Sequence, residues 1–303
     1  MREYDLIIIG GGAAGILCAI EGSRQGIKNI LLIEKDPVLG GALTLGDYNI
    51  GKNKFITGKE YKNQLLRKID SLNIDIQLNT MALKIENERE VICTSSENGI
   101  EKIKGKNIIL ANGAKDTGRK AVSMVGSRCS GVLTVGMAKK IFNMDNMIPG
   151  KNIFIVGNDT LYMIEKELKK HNINVVGIIP NNNSDETFGL TNHLYKGYEI
   201  IGIEGEGRLS GLIICKENEE ITVPCDTLIF ANPMLSDGVL AMRSDIKLNT
   251  STTGPEVDNN FMTSKENIFA CGNGIYIHKT IESIEDECRQ VIDAISLKYM
   301  KTH

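Results

Sequence analysis

Three glycines near the N-terminus constrain this 303-residue chain more than any other feature. Gly10, Gly12 and Gly15 follow directly on the run Tyr4-Asp5-Leu6-Ile7-Ile8-Ile9 and precede a helical stretch from about Ala13 to Gln25. A continuous β-branched run suits a parallel strand buried on both faces. In a G-x-G-x-x-G spacing the first glycine permits a tight turn, the second lets a pyrophosphate approach the backbone, and the third lets helix and strand pack closely. The amides at the helix start, at the positive end of the helix dipole, then face the phosphates. A second strand, Asn29 to Ile33, ends at Glu34. That is roughly 20 residues past the last glycine, where a carboxylate reaches ribose hydroxyls. Strand, glycines, helix, second strand and acid together describe one dinucleotide-binding βαβ unit.

The remaining chain reads as more of the same architecture. A helix carries Glu60, Leu65, Leu66 and Ile69, and a strand follows at Ile74 to Leu78. Three short alternating strands run from about Met81 to Lys104, with turns at Glu86–Glu88 and Glu97–Gly99, as an antiparallel meander. Lys106 to Leu110 is a separate buried parallel strand, ended by Ala111-Asn112-Gly113-Ala114. A second βαβ unit starts at Lys151, with a strand at 153–156, a helix from about Thr160 to Lys170 and a strand from Asn174 to Ile179. Strands near 199–203, 211–216 and 227–231 complete it, and Asn267 to Ala270 gives a last strand before a helix from Ile281 to Leu297. The expected fold is α/β: a Rossmann-like domain, with a parallel sheet and an antiparallel meander, from residues 1–120 and 240–303. A shortened second Rossmann-like domain is inserted at 121–239.

Composition narrows the partners. A formal net charge of -3 argues against a nucleic-acid or anionic-membrane binder, which would show a basic stripe. No apolar run has the length of a membrane span, and the first residues lack a signal-peptide layout, so a cytoplasmic location is expected. The seven cysteines, Cys18, Cys93, Cys129, Cys215, Cys225, Cys271 and Cys288, include no C-x-x-C pair. Zinc, iron–sulfur and dithiol sites usually use such pairs, so no metal is expected, and most of these residues read as small buried hydrophobes in a reducing compartment.

The second unit has a degraded loop. It reads Gly157-Asn158-Asp159-Thr160-Leu161-Tyr162, in which only the first glycine survives. Asp159 brings bulk and like charge to the place where pyrophosphate would approach, and Tyr162 takes the packing-glycine position. The next strand ends Ile179-Pro180-Asn181, with neither a ribose-binding acid nor an arginine for a 2′-phosphate. NAD(P) binding is therefore doubtful, and the domain reads as kept for architecture or partner docking.

Several segments resemble the FAD-dependent oxidoreductases with two dinucleotide-binding domains, the pyridine nucleotide-disulfide oxidoreductase-like superfamily. Glu34-Lys35-Asp36 followed by Leu39-Gly40-Gly41 resembles its acidic residue and paired-glycine turn around the FAD ribose and pyrophosphate. Ile108 to Ala114 resembles its segment between the two domains, and Asn267 to Asn273 its late segment at the ribityl chain. The stretch Gly126 to Gly136, with the tail from Gly254 to His278, is similar to one subgroup. That subgroup holds the small flavin subunits of cyanide synthase, opine oxidase and dye-linked proline dehydrogenase, and the flavoprotein partners of glycerol-3-phosphate dehydrogenase-like proteins.

The resemblance implies non-covalent FAD. Its phosphate loop would use Gly10, Gly12, Ala14 and Gly15, and its ribose and pyrophosphate contacts Glu34, Lys35, Gly41 and Ala42. Ala82, Ala111, Asn112, Gly113, Gly272, Asn273 and His278 complete the implied contact set. Asn273 stands where the superfamily usually has Asp, which keeps hydrogen bonding but loses charge assistance. Cys271 is expected to pack against the cofactor. His278 is either a partner of the flavin ring or a surface loop residue, and His171, His193 and His303 are expected to face solvent. The helix starting near Thr280 would point its dipole at the flavin pyrimidine ring and favour the anionic reduced form. Thr44 to Tyr48 lacks the Cys and His that relatives carry after the paired glycine, and no catalytic residue is assigned. The expected function is a dehydrogenase subunit that passes electrons from a small-molecule donor through FAD to a partner subunit. The alternatives are a non-catalytic FAD-binding protein with a structural or docking role, and an NAD(P)H-dependent flavin reductase; a homo-oligomer also fits.

Overall fold

The computed structural model describes residues 3–52, 55–118, 126 and 128–301. The boundary expected at 120/121, Ser127 of the subgroup stretch and His303 lie outside the described residues. The chain divides into two units, one formed by Met1–Lys115 and Leu235–His303, the other by Asp116–Met234.

The first unit opens with β1 (Glu3–Ile9), α1 (Ala13–Arg24) and β2 (Ile30–Ile33). After α2 (Gly58–Ile69) come β3 (Asp75–Gln77), β4 (Thr80–Ile85), β5 (Glu90–Ser95), β6 (Gly99–Leu110) and β7 (Ala114–Lys115). Helix α2 starts at a capping box, in which Thr57 accepts from the Glu60 amide and Glu60 reaches back to the Thr57 amide. The sheet order is β3-β2-β1-β6-β5-β4. Strand β1 alternates between two cores. Leu6 and Ile8 face a cluster with Ile16, Leu65 and Val291, while Ile7 and Ile9 face a cluster with Val91, Ile103 and Ile268. Both faces are covered, which is why the run carries no polar alternation.

One expectation is corrected here. The third meander strand and the strand at Lys106 are a single twelve-residue β6. Its residues 99–104 pair antiparallel with β5, and from Lys104 onward it pairs parallel with β1. The turn-free sequence Lys102-Ile103-Lys104-Gly105-Lys106 gives the chain no reason to break.

The second unit contains β8 (Val132–Thr134), α3 (Val135–Asn143), β9 (Asn152–Val156), α4 (Glu165–Lys170) and β10 (Asn174–Ile179). It continues through β11 (Glu199–Glu206), β12 (Arg208–Lys216), β13 (Glu219–Pro224) and β14 (Thr227–Phe230). A parallel sheet of order β10-β9-β14-β8 stands beside an antiparallel sheet β11-β12-β13. Strand β13, polar on its exposed face, is additional to the sequence reading. The helix expected from Thr160 to Lys170 is also corrected: a 3₁₀ turn at Leu161–Met163 precedes the six-residue α4.

The chain then returns to the first unit with β15 (Leu235–Ser236), paired to β7, and α5 (Val239–Arg243). Strand β16 (Ile268–Ala270) adds to the sheet parallel to β6 before α6 (Ile281–Lys301) closes the fold. Among the described residues no helix is long and apolar enough to cross a membrane.

Candidate functional site

The site is built where β1, β6 and β16 end together. Gly10, with φ at 111°, donates its amide to Ile33 O at 2.8 Å, and a Cβ on it would lie 2.4 Å from the Ala111 carbonyl oxygen. A Cβ on Gly15 would lie 1.8 Å from Gly10 O, so helix and turn are in backbone contact. Gly12 is the opposite case: a Cβ there would meet nothing within 4 Å. It is the N-cap of α1 and offers no side chain to the helix amides. The loop is thus closed on the protein side and open on the other, the shape a pyrophosphate requires.

Glu34 is buried at the end of β2, with Oε2 accepting from the Gly11 amide at 2.6 Å and Oε1 from the Asp36 amide at 2.8 Å. Two amides fix the carboxylate beside the loop. Gly11, which the sequence reading passed over, is needed there because a Cβ would strike Leu39 at 2.5 Å and Glu34 at 3.0 Å. The Gly40 amide donates to Gly11 O at 2.8 Å, and a Cβ on Gly41 would lie 3.0 Å from Gly12 Cα, so the paired-glycine turn packs on the phosphate loop. Ala42 follows within the 3₁₀ segment Gly41–Leu45. Ala82 lies in β4, whose first residue Thr80 donates to the Glu34 carbonyl at 2.9 Å. Lys35 is exposed at the loop edge.

The late segment joins the same place. A Cβ on Gly272 would lie 2.6 Å from Ala14 Cβ, and one on Gly274 would lie 3.5 Å from the Gly113 amide. The Asn112 side chain donates to the Asp237 carbonyl. Fourteen of the fifteen implied contact residues therefore belong to this cluster of loops or the strand and helix ends supporting it; Lys35 alone projects to solvent. These residues fit FAD: uncapped helix amides for phosphate, a held carboxylate for ribose, and small residues along the path between.

His278 occupies neither of its expected places. Its side chain is 1% exposed, with Nδ1 3.1 Å from Asn273 Oδ1 and Nε2 3.1 Å from Glu287 Oε2. Asn273 Oδ1 also accepts the His278 backbone amide at 2.9 Å, which fixes that atom as the acceptor and makes Nδ1 a donor. Nε2 then either donates to the Glu287 carboxylate as imidazolium or accepts from its protonated form. One proton is held between the two in both cases. Glu287 Oε1 accepts from the Gly272 amide at 2.5 Å, and Tyr276 stacks on the imidazole at 4.2 Å. Sequence reasoning missed Glu287, although the acid falls on the apolar face of α6 beside Ile284, Cys288 and Val291.

Cys271 does not face the loops. Its sulfur lies 3.6 Å from that of Cys18 in the core, with Cys288 completing a buried trio. Thiol hydrogen bonds from Cys271 and Cys288 pull Cys18 well below the ordinary thiol value, and the same bonds with burial push both donors up. His171 and His193 are exposed, the former stacked on Phe142.

In the second unit the Gly157 amide donates to Ile179 O at 2.8 Å, as Gly10 does to Ile33. Beyond that the loop is filled. Asn181 donates to Asp159 and, at 3.3 Å, to Asn232 Oδ1. A polar cleft of about 420 Å³, lined by Asn158, Asp159, Tyr162, Asn181, Glu186 and Phe188 among others, lies there.

A family profile described as pyridine nucleotide-disulphide oxidoreductase matches residues 4–161. A flavoprotein-length stretch is shared with an alkyl hydroperoxide reductase component of Staphylococcus aureus, 34% identical over 115 residues, 37% of this chain and 22% of that protein. The match thus spans about a fifth of that relative's length. L-proline dehydrogenase from P. horikoshii superposes with a TM-score of 0.74 at 21% identity, over 98% of this chain and 56% of that one. Thioredoxin reductase from T. acidophilum gives 0.67 at 18% identity, over 99% and 100%.

Proposed function

The chain belongs to the pyridine nucleotide-disulphide oxidoreductase family, whose members are FAD-dependent oxidoreductases, and we propose that it is the flavin-bearing subunit of a dehydrogenase. In this reading it takes electrons from a small-molecule donor and passes them to a partner protein. The contrast between the two glycine loops carries the reading. The first leaves helix amides open beside a held carboxylate, while Asp159 and Asn181 occupy the second. A carboxylate in a phosphate loop repels the ligand it should hold. Electrons then come from a donor other than a nicotinamide seated in the second unit. The similarity of Gly126 to Gly136 to flavin subunits, and the likeness of fold to L-proline dehydrogenase, support the same direction.

Bound FAD supplies the two-electron chemistry. The chain's own residues do the rest: Gly12 and the start of α1 receive phosphate, Glu34 receives ribose, and the Asn273–His278–Glu287 chain fixes the late loop and keeps a proton inside the fold. The alternative, an NAD(P)H-dependent reductase, draws on the reductase names of relatives such as the alkyl hydroperoxide reductase component. Anaerobic mixing of the FAD-loaded protein with amino acids, opines and glycerol 3-phosphate, with and without its co-purifying partner, separates the two. Bleaching of the flavin band by one of these donors is expected. Bleaching by NADH alone, fast and saturable, overturns the dehydrogenase reading in favour of the reductase.

A further inference from the structure

The three cysteines that meet in the first unit are separated by 253 residues between Cys18 and Cys271 and by a further turn and helix before Cys288. All three are buried, at 0%, 0% and 1% exposure, and their sulfurs lie within 4.8 Å of one another. We propose that Cys18, Cys271 and Cys288 form a three-sulfur site for a soft monovalent d¹⁰ metal ion, copper(I) being the physiological example. Metal–sulfur bonds of about 2.3 Å arranged in a plane place sulfurs about 4.0 Å apart. The observed 3.6 Å between Cys18 and Cys271, with the third sulfur inside 4.8 Å, brackets that separation.

Ligand number selects the ion. Structural zinc takes four ligands. Among the described residues this group offers three ligand atoms of the metal-binding kind and no fourth. Thiolates favour soft ions, and copper(I) is satisfied by a low coordination number. Charge points the same way. Binding breaks one S–H bond, forms metal–sulfur bonds and releases one proton to solvent, with no change in oxidation state. A monovalent ion replacing one proton leaves the buried cluster's charge unchanged, whereas each further proton lost adds negative charge to a core that already holds Glu287.

The position makes the site consequential. Cys18 lies one helical turn beyond Ala14, Cys271 directly precedes Gly272, and the Cys288 thiol donates to the Ala14 carbonyl at 3.5 Å. All three elements are those that shape the phosphate loop. With the cluster closed to solvent, the ion enters as the loops open or as the chain folds, and it should exchange slowly.

The test uses the full-length, FAD-loaded protein with Cys129 and Cys215, the two partly exposed thiols, replaced by alanine. Copper(I) is supplied anaerobically as the complex of a chromophoric chelator, and the metal retained after desalting is measured. One equivalent is expected, falling below a tenth of an equivalent in Cys18→Ala and in Cys288→Ala. No retention by the folded parent, or full retention in both variants, overturns the site. Should either variant fail to fold, X-ray absorption of the copper-loaded parent decides. Three sulfur neighbours at a single distance are expected, and a shell of nitrogen or oxygen, or fewer than three sulfurs, overturns the proposal.

Discussion

The two glycine loops begin alike and diverge within two residues. Gly10 and Gly157 both take positive φ, and both donate to the end of the neighbouring parallel strand at 2.8 Å. Ala111 and Ala231 follow the adjacent strands in the same relation, donating to Ile9 O and Val156 O. After that, the first loop runs into the twelve-residue α1, whose opening residue offers no side chain to its own amides. The second runs into a 3₁₀ turn and a six-residue helix, with Asp159 tied to Asn181. A strand-end turn alone is therefore a folding device. It becomes a phosphate site when the amides beyond it are aligned and left open.

The largest effect should come from adding to the open loop what the closed one already has. Gly12→Asp places a carboxylate where the structure has room for it, since a Cβ there meets nothing within 4 Å. The fold should survive, while like charge beside pyrophosphate lowers FAD affinity by about 100-fold or more. Flavin content after desalting, read beside a circular dichroism spectrum, checks both halves. A folded variant with stoichiometric flavin would show that the open side of this loop does not face phosphate.

Gly15→Ala should act on stability instead. Its Cβ would lie 1.8 Å from Gly10 O, and backbone cannot swing aside as a long side chain can. Overpacking of this kind costs about 1–3 kcal/mol. Thermal unfolding should move down accordingly, whereas Gly12→Ala should leave the midpoint almost unchanged. An equal shift in both variants contradicts the division of labour between the two glycines.

How far the sequence showed these differences depends on the range of the interaction. The first βαβ unit was legible because strand, turn, helix and acid are local and each uses a distinct residue pattern. The degraded loop was legible for the same reason, from Asp159 and Tyr162. Boundaries decided by pairing were not: β6 continues through Gly105 because it finds β5 on one stretch and β1 on the next. Contacts between distant segments were invisible as well. Cys18 and Cys271 share no spacing rule, and Glu287 reads as one more charge in a charged helix until its bonds to Gly272 and His278 are seen.

Glu34→Gln sharpens the comparison at the ribose end. The second unit has Asn181 after its strand, and the first has a carboxylate accepting two amides. An amide side chain keeps one acceptor oxygen and turns a donor toward the other N–H, losing a charge-assisted bond. FAD affinity should fall about tenfold, with stability lower by about 1–3 kcal/mol. Equilibrium flavin titration and urea unfolding measure the two. Unchanged flavin affinity would place the ribose elsewhere.

The smallest effect is expected from the reverse repair. Asp159→Gly removes the carboxylate from the second loop but restores neither a long helix nor an acid at the end of β10, where Asn181 stands. The short α4 has too few aligned amides to present a phosphate site, and Tyr162 still occupies the packing position. Removing one of several obstacles should therefore change little. Anaerobic stopped-flow mixing with micromolar NADH or NADPH should reduce the flavin slowly and without saturation in the parent protein. The variant should differ from it by less than about threefold, a change of under 1 kcal/mol. A saturable fast phase appearing with this single substitution would mean that Asp159 alone keeps the second loop shut. The shortened helix and the missing acid would then lose their weight in the argument. The second unit would be a nicotinamide site held closed by one carboxylate, and the electron donor would have to be sought among pyridine nucleotides.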